Sequence, residues 1–314
     1  MNPAMLTDAL RLPHHVLVTG GTGFVGSRLV EASIAGGHRV SVLTRNPARA
    51  ARLPDTVKVV TSLDQIAAAE RIDAVVNLAG EPISDSPWTR RKRARIIASR
   101  VDATRACLDL IARLDVKPGV LISGSAIGWY GIRDDAELDE SSPGTACFSR
   151  EVCTRWETAA AGAGVRTILL RTGLVLGQGG GLLARMLPAF RLGLGGRFGS
   201  GRHWMSWIHQ DDLVRLIVHC IADPAVAGPV NATAPNPVSN RDFTRALGRA
   251  LNRPTILPVP AWPLTALLGD FARELLLGGQ RVLPRAAEAS GFVFHYPEID
   301  GALAAITRAD HPRR

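Results

Sequence analysis

The sequence predicts an α/β fold in which a doubly wound parallel sheet is followed by a small C-terminal cap. Two observations predict it. Short β-rich apolar runs alternate with helical patterns through the first half of the 314 residues, which is typical of parallel strands joined by helical crossovers. These runs are apolar along their whole length, as strands covered on both faces require.

The predicted elements and boundaries follow from this alternation. Strands are expected at the segments HVLVTG, RVSVLTR, VKVVTS, AVVNLAG, GVLISGSA and RTILLRTG. Helices are expected from Phe24 to about Ala35, from about 89 to 113, around 149 to 163 and near 210 to 222. After Gly177 the sequence is glycine-rich without strand periodicity. We therefore assign residues 14–177 to the sheet domain, with a later segment at about 205–233 as a candidate to pack with it, and residues 178–314 to a smaller capping region.

Composition excludes several classes of protein. The chain has 46% hydrophobic and 21% charged residues, as globular proteins do. Its apolar runs are shorter than the roughly 20 residues that cross a bilayer, and no secretory signal is visible at the N-terminus. The four cysteines form no C-x-x-C pair, so we expect reduced thiols, a cytoplasmic location and no metal site. We also expect no membrane contact, because the apolar runs are short.

The formal net charge of +9 would suit an anionic partner. Much of it lies in RRKRAR at 90–95, which we interpret as a solvated helix face. No nucleic acid partner is expected, because no helix-turn-helix, zinc site or aromatic-basic pattern accompanies this run.

The segment VLVTGGTGFVGSRLV predicts a dinucleotide-binding loop. Gly20, Gly23 and Gly26 lie three residues apart, after a strand and at the start of a helix. Glycines there allow a tight turn and close approach of the backbone to a pyrophosphate, which the helix N-terminus stabilises. Phe24 and Val25 begin that helix and are included among the expected cofactor contacts. The sheet is therefore expected to be of the Rossmann type.

The end of the second strand favours NADP(H) over NAD(H). NAD enzymes usually carry an acidic residue there for the ribose 2′-hydroxyl, but this strand ends in VLTRNP. Thr44 and Arg45 offer a hydroxyl and a guanidinium, and a guanidinium fork suits a 2′-phosphate better.

The long helix places Arg100 within its inward stripe. The apolar repeat that marks this stripe consists of Ile97, Val101, Thr104, Leu108 and Ile111. A guanidinium turned toward the protein needs an anionic partner. The cofactor's phosphates or a nearby carboxylate are the two alternatives.

Several segments resemble a known family. The segments TGGTGFVG, VVNLAGE, ISGSAIGWYG and WIHQDDL resemble the extended short-chain dehydrogenase/reductase superfamily, which includes sugar-nucleotide epimerases. More narrowly, EVCTRWE, RTGLVLGQGGGLL and LPRAAEASGFVFHYPEIDGAL resemble its epimerase-like subfamily, some of whose members carry the label of nucleotide-sugar epimerase or cell-division inhibitor. The resemblance covers about residues 14 to 306.

The resemblance implies a cofactor lying across the strand ends. In such an arrangement the adenosine phosphate lies at Thr44 and Arg45, and Arg100 touches the cofactor. Leu78 and Ala79 pass beside it, and the backbone near Val175 approaches the nicotinamide side.

The catalytic pattern of the superfamily is broken in this chain. The resemblance implies a serine or threonine, a tyrosine that exchanges a proton, and a lysine that lowers the tyrosine's pKa. Ser125, or less favourably Ser123, fits the serine. Phe148 and Val152 stand at the tyrosine and lysine positions, and neither can exchange a proton.

Other side chains are candidate substitutes. Tyr130 is a proton donor or a packing residue, and Cys153 is an acid, a nucleophile or an inert buried thiol. Glu81 is a base or a substrate-binding residue, or it only caps the next segment. His209 is expected to be structural. The loop GGRFGSGRHWMSW either binds substrate or packs the cap against the sheet through its tryptophans. The residues that could contact substrate are Arg197, Arg202, His203, Trp204 and Trp207.

Two functions fit these observations. The first, which we favour, is an NADP-dependent oxidoreductase or epimerase-like enzyme acting on an unidentified small molecule. The second is a non-catalytic NADPH-binding sensor that acts through a protein partner. A homodimer formed through the helices that flank the sheet is compatible with either.

Overall fold

The computed structural model describes residues 14–308, and a seven-stranded sheet lies at the centre of this part of the chain. The strands are β1 (His15–Thr19), β2 (Arg39–Leu43), β3 (Lys58–Val60), β4 (Ala74–Asn77), β5 (Val120–Ala126), β6 (Glu137–Leu138), β7 (Thr167–Thr172), β8 (Leu174–Leu176), β9 (Trp204–Met205), β10 (Trp207–His209), β11 (Gly228–Ala232), β12 (Val238–Ser239) and β13 (Arg281–Val282). The central sheet has the order β11-β7-β5-β4-β1-β2-β3, and all of its pairings are parallel. The predicted doubly wound α/β fold is confirmed.

Helices cover both faces of this sheet. They are α1 (Phe24–Ala35), α2 (Pro47–Ala50), α3 (Arg90–Arg113), α4 (Phe148–Ala160), α5 (Gly181–Arg191), α6 (Gln210–Ala222), α7 (Asn240–Leu251), α8 (Ala261–Leu268), α9 (Asp270–Leu275), α10 (Arg285–Ala289) and α11 (Ile299–Arg308). Along β1, Val16 and Val18 face the core formed with α1 and α6, while Leu17 faces the core formed with α3. Strands with both faces buried explain the uninterrupted apolar runs.

The glycine-rich segment after β8 contains a helix that the sequence interpretation missed. Helix α5 begins at Gly181 and tolerates Pro188 in its interior. Its buried residues are Leu183, Met186, Leu187 and Phe190. This is the i, i+3, i+4, i+7 spacing of an amphipathic helix, so the periodic signal was present although glycines surround it.

The remaining elements pack beyond the carboxyl ends of the strands. Helices α5, α7 and α11 share a second core centred on Trp207 and Phe243. Small sheets join β8 to β10, β9 to β12 and β6 to β13. Strand β11 returns to the central sheet and pairs with β7, so the chain passes back and forth between the two parts.

None of the helices within residues 14–308 is both long enough and apolar enough to traverse a bilayer.

Candidate functional site

The strand order creates a crevice beside β1. Strand β1 pairs with β2 on one side and β4 on the other, so the chain crosses the sheet in opposite directions from this point. Ligands of open α/β sheets bind outside the carboxyl ends of the strands at such a switch point. The loop that follows β1 lies there.

The glycines of this loop are required by close packing. Gly20 has φ 71°, and a Cβ on it would lie 2.8 Å from the carbonyl oxygen of Leu78. A Cβ on Gly26 would overlap the carbonyl oxygen of Gly20, and Gly23 N–H donates to that same oxygen at 2.9 Å. The turn is therefore tight, and helix α1 starts directly against the strand end.

The N-terminus of α1 is suited to an anion. Its N-cap, Gly23, provides no side-chain cap, and the first turn contains no acidic residue. The first N–H groups of the helix, including those of Phe24 and Val25, therefore point outward with the positive end of the helix dipole. The ring of Phe24 lies against Gly180 in the loop after β8.

The end of β2 presents positive charge beside this loop. Thr44 is buried, and its hydroxyl donates to the Asn46 carbonyl at 3.2 Å. Arg45 is exposed and has no hydrogen bond or ion pair with another residue in the described part of the chain. Arg49 and Arg52, which sequence reasoning missed, line a crevice of about 420 Å³ together with Thr22, Gly23 and Phe24. The segment RNPARAAR holds the signal, because its arginines recur at spacings of four and three.

Leu78 and Ala79 follow β4 and touch the loop. Leu78 N–H donates to the Thr19 carbonyl at 3.1 Å, and Ala79 N–H to the Thr19 hydroxyl at 3.3 Å. Val175, in β8, is partly buried and pairs with Ile208.

Arg100 is a largely buried cation without a carboxylate partner among residues 14–308. Its Nη1 donates to the carbonyl oxygens of Glu81 and Ile96, each at 3.0 Å. The guanidinium lies 5.0 Å from the ring centroid of Trp156, and it would be 3.1 Å from a Cβ on Gly80. Burial lowers the pKa of Arg100. A nearby structural carboxylate, one of the two predicted alternatives, is not its partner.

The buried stripe of α3 differs from the predicted one. Ile97, Val101 and Leu108 are only half-buried. The fully buried residues of this helix are Lys92, Ile96, Thr104, Cys107, Leu110 and Ile111. The start of the helix also contacts the loop after β4, where Lys92 binds Glu81.

A cavity of about 230 Å³ lies between the ends of β5 and β7 and the capping region. Apolar residues form most of its wall, among them Ile83, Val152, Trp156, Leu174, Phe198, Met205 and Leu275. Its ionisable lining residues are Arg100, Cys153, His203 and Glu274. The cavity is thus a largely apolar pocket with a few polar groups, the usual character of a small-molecule site.

Two of these ionisable groups are uncharged at neutral pH. Burial lowers the pKa of His203 to about 4. Burial raises the pKa of the Cys153 thiol to about 11, although the Ser125 hydroxyl and the Arg100 guanidinium act in the opposite direction. The thiol donates to the Ala126 carbonyl at 3.5 Å. Cys153 therefore retains its proton at the edge of the cavity.

Phe148 serves packing rather than proton transfer. Its ring meets Trp88 edge to face with centroids 4.8 Å apart, and Trp88 meets Phe271 of α9 at 5.7 Å. The guanidinium of Arg93 lies 4.7 Å from the Phe148 ring centroid. The aromatic cluster ties the capping region to α4, and Val152 one turn later lines the cavity.

Glu274 was missed by sequence reasoning. It accepts from the N–H groups of Phe148 and Ser149 at 3.1 and 2.8 Å and from the Ser149 hydroxyl at 2.6 Å. A carboxylate from α9 thereby satisfies the start of α4, which carries positive dipole charge. No local pattern signals this contact, because it joins residues more than a hundred positions apart.

Ser125 and Tyr130 belong to a buried network and do not line the cavity. The Ser125 hydroxyl donates to Glu157 at 2.6 Å, and Arg171 binds both oxygens of that carboxylate at 2.9 and 3.0 Å. Tyr130 donates to Asn231 at 2.6 Å and is fully buried, and burial raises its pKa to about 12. This geometry places the Tyr130 hydroxyl inside the network and outside the cavity wall. Ser123 is likewise fully buried within β5.

Glu81 is neutralised by neighbouring cations. Lys92 donates to it at 2.9 Å, and Arg95 lies 3.4 Å away; the hydrogen bond from Lys92 lowers the pKa of Glu81. A carboxylate held in this way is a weak base, and Glu81 does not line the cavity. Lys92 is 3% exposed and also binds Asp85 at 2.6 Å, which corrects the interpretation of the whole basic run as a solvated face.

The loop residues divide into two groups. His203 and Trp204 line the cavity, whereas Trp207 is fully buried and donates to the Asn236 carbonyl at 3.1 Å. Arg197 and Arg202 do not line the cavity. His209 accepts from Asp211 N–H at 3.1 Å and stacks on Tyr296 with centroids 3.9 Å apart, which gives it the structural position expected for it.

The chain is similar to a known family and to several of its members. Residues 16–232 match the model of the NAD dependent epimerase/dehydratase family, and residues 259–306 match a domain of unknown function (DUF1731). The chain is 42% identical to the epimerase family protein SDR39U1 homolog, chloroplastic, of Arabidopsis thaliana, over 93% of this chain and 86% of that protein. It is 41% identical to epimerase family protein Mb2239 of Mycobacterium bovis, over 93% and 97% of the two chains.

A solved structure is also similar. The crystal structure of human epimerase family protein SDR39U1 (isoform2) with NADPH superposes with a TM-score of 0.86 at 35% identity. The superposition covers 94% of this chain and 99% of the human one. The resemblance drawn from sequence segments is confirmed at the level of the family.

Proposed function

Because this chain belongs to the NAD dependent epimerase/dehydratase family, we propose that it binds NADPH across the crevice beside β1 and uses it in redox chemistry. The substrate would be a small, largely apolar carbonyl or hydroxyl compound held in the cavity of about 230 Å³. One observation carries the proposal: Arg100, a cation without a carboxylate partner in the described chain, lines this cavity and lies against Gly80, next to the crevice. The human relative solved with NADPH supports the choice of cofactor.

The residues of the crevice fit a phosphorylated dinucleotide. Gly20 and Gly26 leave no room for a side chain, and the uncapped start of α1 offers N–H groups to a pyrophosphate. Arg45 is exposed and unpaired within residues 14–308, as a residue that meets a 2′-phosphate would be before binding. When bound, NADPH supplies the hydride.

The chain itself must supply the proton, since Phe148 and Val152 cannot. We assign this role to the Cys153 thiol. It lines the cavity, and it keeps its proton at neutral pH because burial raises its pKa to about 11. Its hydrogen bond to the Ala126 carbonyl spans 3.5 Å. The Arg100 guanidinium would stabilise the thiolate left after donation.

The test is the rate at which bound NADPH is oxidised when a deproteinised cell extract is added. Cys153→Ala should slow oxidation by about a hundredfold or more, the usual contribution of a general acid, with NADPH affinity unchanged. Cys153→Ser, which keeps a hydroxyl proton, should retain part of the rate. Cys220→Ala is the matched control, because Cys220 is a buried thiol of α6 that does not line the cavity. Equal rates for Cys153→Ala and the wild type would exclude the thiol as donor.

A second candidate is a cofactor-gated binding protein. The observation in its favour is the aromatic contact of Phe148 with Trp88, which in turn packs on Phe271. Phe148, at the tyrosine position, thus packs the capping region against α4. In this candidate, NADPH binding in the crevice would change that packing. Tight NADPH binding without oxidation in several extracts would favour this candidate over the enzyme.

A further inference from the structure

The outer face of the capping region carries a basic recess that lies outside the cavity and the crevice. It measures about 260 Å³ and is lined by Arg197, Arg241, Thr244, Arg245 and Thr255. Three of these residues follow one face of α7. Arg197 is adjacent in sequence to Phe198, which lines the cavity of about 230 Å³.

Thr244 is the unusual member of this group. It is 2% exposed, and its hydroxyl has no hydrogen-bond partner within residues 14–308. Buried hydroxyls are nearly always satisfied, and a threonine inside a helix commonly bonds the carbonyl four residues earlier. The oxygen itself has almost no accessible surface, so rotation about χ1 would turn it into the recess, where a ligand would complete it.

The arginines of the recess have guanidinium N–H groups that are not used in hydrogen bonds with the described residues. Arg197 uses Nη1 on the carbonyls of Gly199 and Ser200, and Arg241 uses Nη2 on the Ser200 carbonyl at 3.4 Å. Arg245 meets Asp242 at 3.8 Å with both side chains more than half exposed, which is a weak pairing. The other guanidinium N–H groups have no acceptor among the described residues.

We propose that this recess binds a small phosphate group, either inorganic phosphate or a phosphomonoester. Guanidinium forks match phosphate oxygens, and the Thr244 hydroxyl would donate to one of them. A long polyanion is disfavoured, because the next arginine along this face, Arg249, already binds a carboxylate, that of Asp300, at 2.6 Å.

The first test is calorimetric titration with inorganic phosphate and, separately, with glycerol phosphate, on protein saturated with NADPH so that the loop after β1 is filled. The double variant Arg241→Gln, Arg245→Gln should weaken binding about tenfold or more, as loss of charge-assisted hydrogen bonds implies. The control Arg105→Gln, Arg155→Gln removes the same charge from exposed positions of α3 and α4 and should leave affinity unchanged. Whichever probe binds more tightly identifies the source of the phosphate.

The second test is Thr244→Val, which removes the hydroxyl at nearly constant volume. Without phosphate this variant should melt at a higher temperature than the wild type, because an unsatisfied buried hydroxyl is lost, while its phosphate affinity should fall several-fold. A lower melting temperature would show that the hydroxyl has an internal partner and would overturn the proposal. Unchanged phosphate affinity in both recess variants, or binding of an oligonucleotide but of neither small probe, would also overturn it.

Discussion

Arg45 offers the sharpest test of cofactor choice. Because its side chain is exposed and unpaired in the described chain, Arg45→Ala should change the free energy of unfolding by less than about 0.5 kcal/mol. A hydrogen bond between a guanidinium and a 2′-phosphate contributes about 1.5–3 kcal/mol. The variant should therefore bind NADPH about ten- to a hundredfold more weakly and NADH almost as well as the wild type.

The assay is a fluorescence titration of the wild type and the variant with NADPH and with NADH. Arg49→Ala is the matched control, since Arg49 lines the crevice beside Gly23 and would meet the pyrophosphate that both cofactors share. It should weaken NADPH and NADH equally. If Arg45→Ala did the same, the assignment of Arg45 to the 2′-phosphate would be refuted.

Three further predictions concern the stability contributed by ionisable side chains at the cavity and at the strand ends. Glu274→Ala should lower the free energy of unfolding in urea by about 2 kcal/mol, the upper range for losing a helix cap; an unchanged value would show that water replaces it. Glu157→Gln should cost about 3–5 kcal/mol, because it leaves the buried guanidinium of Arg171 without its charge partner; a loss below 1 kcal/mol would contradict that pairing. The pKa of His203 is lowered to about 4, so below pH 6.5 the unfolded state binds a proton that the folded state does not, and stability falls as the pH drops toward 4. His203→Gln should flatten this fall in melting temperature, and a slope identical to the wild type's would count against a buried neutral imidazole.

The sheet and the loop after β1 could be predicted because their signals are local. An apolar strand, three glycines and a helix beginning at Phe24 lie within a dozen residues, and the structure shows the helix at Phe24–Ala35. The helix predicted at about 89 to 113 is Arg90–Arg113 for the same reason, since Thr89 supplies its cap from the adjacent position.

The roles of the candidate-site residues depend on contacts between side chains, and residue spacing in the sequence does not predict these contacts. Glu274 reaches the start of α4 from the capping region, and Glu157 takes the Ser125 hydroxyl away from the cavity. Burial of Lys92 between Glu81 and Asp85 also depends on how the loop after β4 folds back. Each of these contacts is made by a charged side chain that the tertiary fold brings to its partner. A sequence motif does not contain this information, so the roles of these residues could not be predicted from it.

The most direct measurement is to load the purified wild-type protein with NADPH and follow cofactor fluorescence while a deproteinised cell extract is added, with heat-inactivated protein as control. Saturable NADPH binding followed by oxidation faster than in the control is the result expected of an NADPH-dependent redox enzyme. Absence of saturable NADPH binding would contradict the proposed function at its base, because the glycine loop, Arg45 and Arg100 would then hold no cofactor.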